Sequence, residues 1–240
     1  MIDMFRHLGK VVTILFLFIL VSCQQEAVTH FKNGNAAYDS TKFNEAIEEY
    51  TKAIEVYPEY ENAYFFRGTA KYQMSDFKGA ISDYSVVIGL NPQNALAFTS
   101  RGTAKFGLKD YNGAIEDYSA SIIINPINEE ALSNRGYCRT VLQNYPEAVK
   151  DFDEAIKVNP QNFSTYYNRA IAYYGMNEYQ KAVDDFTFVI FQSPGNPLNY
   201  YSRGNTYFKM NKKAEACTDW IKAKELGLRE STDLIDKYCK

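Results

Sequence analysis

Three observations predict an all-α solenoid of helix–turn–helix repeats. Prolines recur every 34 residues, at Pro58, Pro92, Pro126, Pro160 and Pro194. A small residue keeps the same step at Gly34, Gly68, Gly102, Gly136, Ala170 and Gly204. An alanine keeps it too, at Ala46, Ala80, Ala114, Ala148, Ala182 and Ala216, each followed four residues later by an aromatic: Tyr50, Tyr84, Tyr118, Phe152, Phe186 and Trp220. A fixed period of this length marks stacked units, each burying its apolar face on its neighbours. Six copies run without insertion over 27–60, 61–94, 95–128, 129–162, 163–196 and 197–228.

The chain starts differently. Arg6 and Lys10 precede an apolar run from Val11 to Val21. The run is too short to span a bilayer, which takes about 20 residues. It fits the apolar region of a secretory signal peptide over residues 1–22. Its end, Leu20-Val21-Ser22-Cys23, resembles the bacterial lipobox. That resemblance implies cleavage before Cys23 and lipid on the cysteine. A plain signal peptide or an uncleaved anchor would share the apolar run. Residues 23–26 would then be the lipidated cysteine and a short linker, placing the first repeat close to the membrane. The implied location is a bacterial cell envelope, periplasm- or surface-facing. Gln24, in place of the Asp that often retains enteric lipoproteins, favours the outer membrane where there are two. Several acyl chains on one residue anchor stably, whereas a single chain is marginal.

Within each repeat, helix A is expected over about the first fourteen positions and helix B over about positions 18 to 31. The turns between them carry Ser40-Thr41, Ser75-Asp76, Lys109-Asp110, Gln143-Asn144 and Asn177-Glu178, several of which suit an N-cap. The proline after helix B cannot continue it. The small residue of helix A lets helix B approach, and the alanine and aromatic of helix B fill the contact. Arg67, Arg101, Arg135, Arg169 and Arg203 share one position, and Asp83, Asp117, Asp151, Asp185 and Asp219 share another. The first repeat has Asn33 and Glu49 there instead. The two positions change together, which points to a row of Arg–Asp pairs fixing helix register, with an anion site as the alternative. The last repeat has Leu228 where proline would fall. Residues 229–240, with Leu234, Ile235 and Tyr238 in a stripe, read as a capping helix.

This pattern resembles the tetratricopeptide repeat over residues 27–228. The family is a right-handed superhelical scaffold that binds other proteins, so a protein or peptide partner is implied. In the family, helix A residues line a concave groove. Mapped here, the partner-binding candidates are Phe31, Phe65, Phe66, Asn134, Tyr137, Tyr167, Asn168, Tyr201 and Asn205. The aromatics would anchor apolar side chains. The asparagines would bond a partner's backbone, since an amide offers donor and acceptor together. Relatives that clamp acidic chaperone tails use Lys, Asn, Asn, Lys and Arg. Those positions hold Phe31, Asn35, Phe66, Leu96 and Ser100, so that function does not carry over.

Composition narrows the rest. The net charge of −3 and the lack of a Lys/Arg cluster argue against nucleic acid as partner. Losing residues 1–22 removes Asp3, Arg6 and Lys10, leaving 24 basic against 28 acidic residues, or −4. The two histidines are His7 and His30. With His7 in the signal peptide, little remains for histidine catalysis or a His-rich metal site. No phosphate loop, zinc spacing or nucleophile elbow is present. The sequence therefore implies no enzyme, no cofactor and no metal. Its first reading is a membrane-anchored adaptor for a polypeptide, with a glycan- or small-molecule-binding lipoprotein as the alternative. Cys217 and Cys239 are expected to form a disulfide, because export implies an oxidising compartment. Cys217 faces the following helix, and 34-residue steps put Cys239 at position nine of a seventh helix A.

Overall fold

The computed structural model describes residues 24–239. The expected signal peptide and Cys23 lie outside the described residues, among which there are helices and no strand. Helix α1 spans residues 24–39, so 24–26 are helical. The rest are α2 Phe43–Val56, α3 Glu61–Gln73, α4 Phe77–Leu90, α5 Ala95–Gly107, α6 Tyr111–Ile124, α7 Glu129–Val141, α8 Tyr145–Val158, α9 Phe163–Gly175, α10 Tyr179–Gln192, α11 Pro197–Lys209, α12 Lys213–Glu225 and α13 Ser231–Tyr238. They form two compact units, one ending at Asp110 and one beginning at Tyr111.

In both units each helix packs on the next in sequence. The buried face of α2 is Ala46, Tyr50, Ala53 and Ile54, three- and four-residue steps that place one stripe on one side. The same stripe recurs as Ala148, Asp151, Phe152 and Ala155 in α8 and as Ala216, Asp219, Trp220 and Ala223 in α12. The helix A glycines allow this closeness. A Cβ at Gly34 would sit 2.5 Å from Tyr50 Cε1, and one at Gly136 would sit 2.7 Å from Phe152 Cε1.

The turns are built otherwise than the N-cap reading expected. Thr41, Ser75, Lys109, Gln143, Asn177 and Asn211 all have φ between 57° and 63°. The residue after each donates its N–H back to a helix A carbonyl: Lys42 to Ala37, Asp76 to Lys71, Asn144 to Arg139 and Lys212 to Tyr207. This six-to-one bond with a left-handed residue is the Schellman ending, which satisfies carbonyls left over at the helix end. Helix B therefore starts one position earlier than expected. Among the named turn residues Asp76 caps, accepting from Gly79 N. Caps also stand at helix A, where Asn94, Asn128 and Asn196 accept backbone N–H groups of α5, α7 and α11.

In the C-terminal unit α13 stands where a seventh helix A would. Tyr238 packs on Phe208 at 4.6 Å between ring centroids, with Trp220 at 6.2 Å. Cys217 and Cys239 are bonded, with Cα atoms 5.6 Å apart. Closing a loop of 22 residues in the unfolded chain stabilises by about 3 kcal/mol in the chain-entropy account.

The Arg and Asp side chains meet. Arg67, Arg135, Arg169 and Arg203 each grip one carboxylate with Nε and Nη2, on Asp83, Asp151, Asp185 and Asp219, at 2.7 to 3.1 Å. The remaining Nη1 of each donates to the preceding helix B, at Thr51, Ser119, Asp153 and Thr187 respectively, and Arg101 Nη1 does the same to Ser85. One guanidinium thus ties three helices together. In the first repeat His30, Asn33 and Lys52 hold Glu49 instead. The bonds from His30 first, then Lys52, lower the Glu49 carboxyl to about 2.

Candidate functional site

In the N-terminal unit the aromatic candidates are half-buried and pack against the core. Phe31 packs against Tyr50, Tyr60 and Phe66 at 5.2 to 5.7 Å. Phe65 lies 5.6 Å from Phe66 and 5.5 Å from Tyr84. These rings join buried clusters around Ala46–Tyr50, Ala53–Ala63 and Ala80–Tyr84. The reason is chain economy. A benzyl group one turn from the small residue of helix A covers the aromatic of helix B, so part of its area is consumed inside the fold.

In the C-terminal unit the candidates divide. The Tyr167 ring meets Phe186 at 5.4 Å, and its hydroxyl pairs with Ser202 Oγ at 2.9 Å. Asn205 Oδ1 accepts from Trp220 Nε1 at 3.0 Å, so this asparagine serves the fold and only its NH₂ end is left for a ligand. Asn134, Asn168 and Tyr201 are half-buried on helix A, and Tyr137 is exposed.

The role of Asn205 was readable by comparing repeats. Its position holds Asn35 opposite Tyr50, Thr69 opposite Tyr84, Tyr137 opposite Phe152 and Ile171 opposite Phe186. An oxygen stands there when the helix B aromatic carries O–H or N–H: Asn35 Oδ1 accepts from Tyr50 Oη at 2.8 Å, and Thr69 Oγ1 pairs with Tyr84 Oη at 3.2 Å. Opposite phenylalanine that oxygen is absent or at the far end of a ring. Buried hydroxyls and indoles need partners.

A cleft of ≈ 290 Å³ opens between α9, α10 and α11. Phe163, Tyr167, Val189 and Leu198 give it apolar walls, and Ser164, Asn168, Ser193, Asn196 and Asn199 give it polar groups. Sequence reasoning singled out Tyr167 and Asn168 but missed Asn199. Asn199 is 2% exposed, yet its Nδ2 has no hydrogen-bond partner among the described residues. Its position holds Ala63, Ala97 and Ala131 in three other repeats, which was the available signal. A smaller cleft of ≈ 120 Å³ lies between α9 and α11, lined by Ile171, Tyr174, Phe186, Ser202, Asn205 and Thr206. The Tyr167–Ser202 bond joins the walls of the two. Sequence reasoning also passed over apolar side chains away from helix A: Ile123 and Phe191 are more than 80% exposed.

Other reactive groups are committed or inert. The buried Cys138 thiol is pushed up to about 12 by burial, which keeps it protonated. Among the described residues no His, Cys, Asp and Glu cluster could hold a metal ion, and no helix is long and apolar enough to cross a membrane.

Comparison with known proteins agrees with this architecture. The TPR repeat profile matches residues 34–75 and 141–177. No curated protein matches the sequence. Among solved structures, a tetratricopeptide repeat protein from Parabacteroides merdae is 21% identical, with a TM-score of 0.71 over 89% of this chain and 97% of that one. PilF of Pseudomonas aeruginosa is 15% identical, with a TM-score of 0.74 over 90% and 99%. YrrB, described as a TPR protein with an unusual peptide-binding site, is 20% identical, with a TM-score of 0.70 over 80% and 99%. The fold of the chain is that of the tetratricopeptide repeat, whose profile its first two and its fourth and fifth repeats carry.

Proposed function

We propose that the protein is a membrane-anchored adaptor that holds a polypeptide against its helix A faces. The observation that carries this reading is the cleft between α9, α10 and α11, which keeps the buried Asn199 Nδ2 without a partner among the described residues, beside the exposed apolar surface of Leu198. At ≈ 290 Å³ it falls at the lower edge of small-ligand sites, which run from about 300 to 1,000 Å³. The peptide-binding site described for YrrB supports the same reading. Anchoring rests on the Leu20-Val21-Ser22-Cys23 run, with lipid on Cys23 and residues 1–22 removed at the cell envelope.

Photo-crosslinking residues placed at Asn134 and Tyr201 on helix A, and at Asp184 on helix B, test the partner reading in cells. Polypeptide adducts are expected at the first two and not at the third. Adducts confined to position 184 would move the site to helix B. For the anchor, fatty-acid labelling should mark the wild type and spare Cys23→Ala; equal labelling of both ends that part of the proposal.

A further inference from the structure

We infer that the cleft between α9, α10 and α11 receives a carboxylate carried by the polypeptide partner. This rests on the adaptor reading above and gives it a chemistry. The fold shows what belongs at this place, because neighbouring repeats fill it from within. Repeats two to five end in asparagine: Asn94, Asn128, Asn162 and Asn196. In the N-terminal unit Asn94 Nδ2 donates to Glu61 Oε1 at 2.7 Å. In the C-terminal unit Asn162 Nδ2 donates to Glu129 Oε1 at 2.8 Å, and Thr165 Oγ1 donates to the same oxygen at 3.3 Å. Asn128 Nδ2 donates to Ser121 Oγ at 2.9 Å.

At Asn196 this internal acceptor is missing. Phe163 stands where Glu61 and Glu129 stand one or more repeats earlier, and Val189 stands where Ser121 does. Neither side chain can accept a hydrogen bond. Asn199 takes the place of Thr165, and its buried Nδ2 donates to nothing among the described residues. A buried donor left unmade is costly, and an incoming acceptor removes that cost. A carboxylate seated where the Glu129 carboxylate sits one repeat earlier would accept from Asn196 and Asn199 together. Charge-assisted bonds of this kind are about twice as strong as neutral ones. No acidic side chain lines the cleft to repel the ligand. The ligand's apolar atoms would meet Phe163 and Leu198, the latter 48% exposed. The carboxylate has two sources in a polypeptide, an acidic side chain or the chain terminus.

The test uses the full chain in detergent micelles and three probes. Acetyl-Gly-Gly-Gly offers a terminal carboxylate, acetyl-Gly-Glu-Gly-amide a side-chain one, and acetyl-Gly-Gln-Gly-amide none. NMR titration follows the side-chain NH₂ resonances of Asn196 and Asn199. One or both charged peptides should shift these resonances, and the neutral peptide should bind about tenfold more weakly or worse. Asn199→Ala, the residue three repeats already use, should weaken the charged peptides about tenfold or more. Phe163→Glu should restore the internal acceptor, abolish peptide binding and raise Tm. The inference is overturned if the neutral peptide binds as well as the charged ones, if no charged peptide moves Asn199, or if Phe163→Glu binds like the wild type. The adaptor reading would then still be decided by the crosslinks at Asn134 and Tyr201, which do not depend on Asn199.

Discussion

Replacing Asp219 by Asn separates a structural ion pair from a surface one. Arg203 holds Asp219 through Nε and Nη2, both at 2.8 Å, and its Nη1 reaches Thr187 Oγ1 at 3.0 Å. The side chains are 17% and 5% exposed. Among the described residues no other cation bonds Asp219, whereas Asp83 and Asp151 also receive Lys71 and Arg139. Asp219→Asn keeps the shape but leaves a guanidinium mostly out of water without a counter-charge. Breaking a buried pair from one side typically costs about 3–5 kcal/mol, against about 0–1 kcal/mol for a surface pair. The double variant Arg203→Met with Asp219→Leu removes both charges and should recover most of that loss. Urea unfolding read as midpoint and slope together is the assay, since a changed slope would signal that the unit no longer unfolds as one. A single-variant cost under about 1 kcal/mol would refute the burial argument. A double variant as unstable as the single would show that the pair itself is needed.

Three further outcomes follow from particular contacts. Thr41 is β-branched at φ 57°, so Thr41→Gly should raise stability by about 0.5–1 kcal/mol, relief of left-handed strain less the entropy glycine adds to the unfolded chain; Asn177→Gly at φ 61° should be near neutral, and thermal melts compare them. Gly204→Ala should cost about 1–3 kcal/mol by the same measurement, and more than Gly136→Ala. Its Cβ would lie 2.8 Å from Trp220 Cδ1 and 3.2 Å from the Ala216 carbonyl, whereas the three atoms nearest a Cβ at Gly136 all belong to the Phe152 ring. Glu49 contributes stability that is full above its unfolded value near 4.5 and is lost as pH falls through about 2, so the midpoint advantage of wild type over Glu49→Gln should shrink between those limits; a constant difference would refute the assignment.

Much of the scaffold was legible because stacking repeats turn packing into periodicity. Gly34 and Tyr50 recur at a fixed step since each pair must solve the same contact, and Arg and Asp change together because they touch. The turns were less legible. Thr41, Lys109 and Gln143 do not announce a left-handed backbone, which is enforced there by the bonds that close helix A. The partner-binding candidates were half legible. Helix A spacing shows which residues face one side, but not how much of Phe31, Phe65 or Phe66 the neighbouring helix takes up. That depends on ring-to-ring fit across sequence-distant residues.

The cleft was hidden for a different reason: it arises where one repeat stops matching the others. Glu129 can satisfy Asn162 and Thr165 because it and a pair of donors 33 and 36 residues further on hold compatible groups at once. One repeat later the donors persist as Asn196 and Asn199, while the acceptor has become Phe163. Each substitution alone looks like surface drift on an exposed helix start. Together they leave a buried amide without a bond, in a fold that satisfies its neighbours' polar groups. In a repeat scaffold the departure from the consensus is therefore the place to look for function. The internal bond that Glu61 and Glu129 make elsewhere names the chemistry that an outside ligand must supply.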